Sequence, residues 1–156
     1  MTQFYSSLTV GYSDSEDRLW LRFVREGGEA KLWMTRRLAM ALLDQSYGLM
    51  NKSASDRDCD HEHLEAVQEF IRSQGDPAPA RMPAAQVDIQ SGLVASVDVS
   101  VSENNVLWTF VSAQGRVGFR GTRTEAHRIL EIFWLRMRSA GWRDAPPWKI
   151  VEKDSS

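Results

Sequence analysis

One cysteine, Cys59, in 156 residues leaves nothing for an internal disulfide to pair with. A reducing, cytoplasmic setting is the expectation for such a chain. No apolar run approaches the roughly 18–20 residues that a membrane helix needs, so no membrane partner is expected. The N-terminal Met1-Thr2-Gln3-Phe4-Tyr5 has neither the basic start nor the apolar core of a secretory signal. Charge of one sign is also scarce. Nineteen Lys and Arg face 21 Asp and Glu, a net charge of −2. That argues against a dedicated electrostatic nucleic-acid binder but leaves room for a local basic face. Gly-x-Ser-x-Gly, a Walker loop and His-Glu-x-x-His are all missing, so no enzyme signature and no cofactor is expected.

What the chain does have is a repeat. Residues 8–50 align without a gap on 95–137, with twelve identities: Val10/Val97, Ser13/Ser100, Ser15/Ser102, Glu16/Glu103, Phe23/Phe110, Val24/Val111, Gly28/Gly115, Thr35/Thr122, Arg36/Arg123, Ala39/Ala126, Leu43/Leu130 and Met50/Met137. Roughly three would arise by chance at ordinary composition. Each copy opens with a strand of period two, Leu8–Ser13 and Ser96–Val101. A polar turn follows. A second strand, Leu19–Arg25 or Val106–Ser112, then reaches a hairpin where Gly28 and Gly115 are expected to supply positive φ. The third strand is Glu29–Met34 or Arg116–Gly121. Thr35 and Thr122 sit at the strand–helix junctions, where a hydroxyl can cap a helix N-terminus. Thr122 and Glu125 have capping-box spacing. Helices are predicted over 36–49 and 123–140, sharing the stripe Ala39, Leu42, Leu43, Met50 and Ala126, Ile129, Leu130, Met137.

The pattern predicts an α+β fold: a tandem pseudo-symmetric β-β-β-α repeat, antiparallel sheets with one helix packed on each, and a short helical insert. The first unit is 1–50. The insert is 51–86, with a polar loop at 51–60, a helix at 61–73 and a proline-rich linker at 74–83. The second unit is 87–145, with an extra strand at 87–90, and 146–156 is a C-terminal strand or strap. Both units are expected to form one globular domain.

The second sheet faces carry more apolar surface than water tolerates: Trp20, Val24 and Trp33, with Arg22 and Lys31 between them. Helix 123–140 is apolar most of the way round, with Ile132, Trp134 and Leu135 beyond the shared stripe. That surplus predicts contact with a protein partner or with a second copy, a homodimer, and so a non-enzymatic binding or assembly role. The alternative is single-stranded nucleic acid, stacked on Trp20 and Trp33 with phosphates on Arg22, Lys31 and the junction arginines Arg36, Arg37, Arg120 and Arg123. In element order, the doubled strand–helix unit is similar to the Whirly-type single-stranded DNA-binding fold. The segment Asp58-Cys59-Asp60-His61-Glu62-His63 is rich in metal-ligand types. It lacks the second cluster a structural zinc site commonly uses, so no metal is expected; Cys59, His61 and His63 are weak candidates. His127 reads as a surface or interface histidine.

Overall fold

A computed structural model describes residues 2–54, 58–74 and 92–149. Its elements run β1 (Gln3–Tyr5), β2 (Ser7–Ser13), β3 (Arg18–Arg25), β4 (Gly28–Met34), α1 (Arg36–Lys52), α2 (Cys59–Gln74), β5 (Val94–Val101), β6 (Asn105–Ser112), β7 (Gly115–Thr122) and α3 (Arg123–Ser139). The fold is α+β, and strand–strand–strand–helix occurs twice in chain order. Strands β2-β3-β4 form one antiparallel sheet. Strands β7-β6-β5 form the core of the second, and β1 extends it by pairing parallel with β7.

Strand β1 has no counterpart in the sequence reading. Three residues are too few for a period to show, and Ser6 separates them from β2. The chain thus crosses from one sheet to the other within its first residues. The expected strand at 87–90, and the linker beyond Gln74, lie outside the described residues. At their edge Leu93 makes one parallel bridge to Trp33.

Local chemistry accounts for the element ends. Thr35 caps α1 by accepting from the Leu38 N–H, and Thr122 and Glu125 form a complete capping box on α3. The β3–β4 hairpin corrects one assignment. Positive φ falls on Gly27 (+76°), in the turn, and not on Gly28, which pairs with Arg25 at the start of β4. In the second hairpin it does fall on Gly115. Helix α1 runs on to Lys52, and α2 begins at Cys59, so both ends of the expected polar loop at 51–60 are helical. That shift places Cys59, Glu62 and His63 at spacings of three and four, on one helix face.

The helix placement differs from one helix on its own sheet. Helix α1 follows β4 but lies chiefly against β5. Helix α3 follows β7 but packs on β2 more than on its own strand. Each unit lends its helix to the other, which merges the two inner faces into one core. Phe23 and Phe110 meet edge to face there, 5.3 Å between centroids. Trp108 on β6 donates its indole N–H to Ser46 on α1 at 2.9 Å, and Arg136 on α3 donates to the Val10 carbonyl on β2 at 3.1 Å. The neutral Trp108–Ser46 bond contributes about 1 kcal/mol, and the charged Arg136 bond about 1.5–3 kcal/mol. Truncating a buried ring such as Phe110 costs about 3–5 kcal/mol.

Candidate functional site

The surfaces singled out from sequence are placed unevenly. Trp20 and Trp33 are neighbours across β3 and β4, but they are 5% and 2% exposed. Trp20 covers Gly11, where any Cβ would overlap the indole. Neither ring is therefore presented for stacking. Both rings are covered within the chain, while Arg22 on the same face is exposed. Arg22 and Lys31 both pair with Glu29. Arg36 donates to the Trp142 carbonyl, Arg37 is exposed, and Arg120 lies over the Phe4 ring. Arg123 is no free phosphate ligand. It is buried and bonded to Glu62, to Ser53 Oγ and to the Met50 carbonyl. Ile132 and Leu135 are half-buried, whereas Trp134 is buried against Trp148.

Between α2 and α3 lies a constellation that no single segment announced. His63 on α2 and His127 on α3 are 2% and 0% exposed, with their Nδ1 atoms 2.9 Å apart. His127 is therefore not a surface histidine. Its Nε2 lies 2.6 Å from Glu62 Oε1, and His63 Nε2 lies 3.0 Å from Glu131 Oε1. Arg123 clamps Glu62 with Nη2 at 2.8 Å and Nε at 3.0 Å. Tyr47 donates to Asp60 and also adjoins the Cys59 thiol. Trp148 stacks on His63 at 3.7 Å and closes the cluster. Of the expected C-terminal strap, residues 146–149 are described; they form no strand, and Trp148 is the anchor. His61, by contrast, is exposed and pairs with Glu65.

The proton positions follow from the geometry. Burial would raise the Glu62 carboxyl, but hydrogen bonds from Arg123 and His127 outweigh it and hold the group down at about 2. Glu62 is thus a carboxylate, and His127 Nε2 must donate to it. Burial pushes His127 down to about 4, so the ring is neutral and its Nδ1 accepts. His63 Nδ1 must then be the donor across the pair. Cys59 is buried with its thiol pushed up to about 11, chiefly by desolvation. It is no activated nucleophile in this state.

Two clefts flank the cluster. One, of about 290 Å³, is an apolar groove between the helices, lined by Val67, Phe70, Ile71, Ile132 and Leu135 with Arg128 and Glu131 at its edge. The other, of about 430 Å³, is acidic, with Asp58, Glu62, Glu65 and Glu69 in its wall.

His127 and Glu131 lie far in sequence from the Cys59–His63 segment, and their signal is the stripe Arg123, His127, Glu131, spaced by four along one face of α3. No family model, curated protein or solved structure matches this chain.

Proposed function

We propose that the protein is a non-enzymatic binding and assembly protein that associates with a second copy of itself through the α2–α3 face. The observation that carries this reading is the apolar groove there. Ile71 is 40% exposed, and Val67, Phe70, Ile132 and Leu135 are only half-covered beside it. Helix pairs leave such grooves where another helix docks. Charge favours a second copy as the occupant. Arg128 and Glu131 line the same groove, so a two-fold contact can set each against its opposite on the partner. A net charge of −2 does little to hold copies apart.

The two strand–helix units are also read as pseudo-symmetric about an axis through Phe23 and Phe110. These are matched residues of the repeat and they touch. Each helix lies on the other unit's first strand. The Leu93–Trp33 bridge has the register that Ser6 would have against Arg120 if the β1–β7 pairing ran one residue further.

Light scattering across a concentration series tests the assembly reading. The wild-type chain is expected to be a dimer, and Ile71→Glu and Leu135→Glu are expected to be folded monomers by circular dichroism. A wild-type chain that stays monomeric at high concentration removes the proposal.

A further inference from the structure

We propose that Cys59, Glu62 and His127 form a binding site for one zinc-class divalent cation, with His63 and Glu131 as the positioning residues behind it. The Cys59 sulfur, a Glu62 oxygen and a His127 ring nitrogen lie within 4.8 Å of one another. Thiolate, imidazole and carboxylate together suit zinc over harder cations. The donors come from two different helices, so their convergence is a product of the fold.

Behind His127 runs a chain of hydrogen-bonding contacts: its Nδ1 lies 2.9 Å from His63 Nδ1, and His63 Nε2 lies 3.0 Å from Glu131 Oε1. With an ion on His127 Nε2, His127 Nδ1–H donates to His63 Nδ1 and His63 Nε2–H donates to Glu131. An imidazole whose far nitrogen donates into a chain ending on a carboxylate is the usual support for a metal-bound histidine.

Binding requires the Cys59 thiol to give up its proton, since the thiolate is the ligand. The acidic cleft at Asp58, Glu65 and Glu69 supplies an entry path that attracts cations. Three protein donors leave a fourth position for water from that cleft. The ion would also clamp α2 onto α3, behind the groove assigned above, but the site stands whether or not that groove carries a partner.

The experiment uses the full chain, stripped with a chelator under a non-coordinating reductant, then titrated with Zn²⁺ or Co²⁺ alone. Expected are one tightly held ion per chain, a thiolate-to-cobalt charge-transfer band in the near ultraviolet, and release of the Cys59 proton on binding. Cys59→Ser should abolish the band and loosen binding. Glu131→Gln should keep the band but weaken affinity about 10–100-fold, as loss of a supporting carboxylate does. Glu29→Gln, on the far sheet, should change none of these. Failure of the wild-type chain to hold one ion overturns the proposal. So does uptake that survives Cys59→Ser unaltered, which places the ion in the acidic cleft.

Discussion

Helices α1 and α3 occupy equivalent places in the repeat, and three equivalent positions on them have different fates. In α1 they are Arg36, Met40 and Asp44; in α3 they are Arg123, His127 and Glu131. The charges match and the middle residue does not. Arg36 reaches the Trp142 carbonyl and Asp44 pairs with Arg143 at 2.8 Å, so an irregular segment after α3 covers the α1 stripe. The α3 stripe is covered by α2, a full helix, and Arg123 and His127 are buried. In each case the segment following one helix lies over the other helix. One template has thus yielded a surface in the first unit and a polar core in the second. The difference comes from what covers the stripe and from one histidine in place of a methionine.

Paired substitutions sharpen that contrast. Arg123→Ala leaves Glu62 buried without its cation and should cost about 3–5 kcal/mol in urea unfolding of chelated protein. Arg36→Ala, at the equivalent exposed position, should cost under about 1 kcal/mol. Equal costs would mean that burial does not separate the two stripes.

His127→Met makes the α3 stripe like that of α1. It removes a donor to Glu62 and the acceptor for His63 Nδ1. The expected loss is about 1–3 kcal/mol, again by urea unfolding with chelator. An unchanged midpoint would show that the pair is indifferent to its hydrogen bonds.

The smallest effect separates the two caps. Thr122→Ala removes the hydroxyl's bonds to the Glu125 N–H and carboxylate, at 3.1 and 3.0 Å, while Glu125 keeps its bond from the backbone N–H, and should cost about 1–2 kcal/mol. Thr35→Ala loses one longer bond, 3.4 Å to the Leu38 N–H, and should cost about 0.5–1 kcal/mol. Thermal melts of the two variants give the comparison directly.

The repeated elements were legible because each rests on local periodicity. Val10, Leu21, Phe23 and Leu32 alternate along their strands and are all buried. Ala39, Leu42, Leu43 and Met50 recur at helical spacing and are buried too. Threonine caps and a glycine turn are likewise local, although the positive φ moved one residue, to Gly27. The site was less legible. Cys59 and His63 stood out by residue type, but His61, between them in sequence, points to solvent. The Trp20–Trp33 neighbourhood was visible as a cross-strand pair, while its burial was not, because strand periodicity says nothing of what roofs a sheet.

Sequence by itself determined the doubled strand–helix unit, the faces that are apolar and the capped starts of the two repeated helices, since these depend on residues within a few positions of one another. Only the tertiary structure decided that each helix lies across the other unit's sheet. It also decided that β1 joins the far sheet, and that His63 and His127, 64 residues apart, share a hydrogen bond. An apolar stripe is non-directional: it specifies that burial will occur, and the packing of all the elements together decides against what.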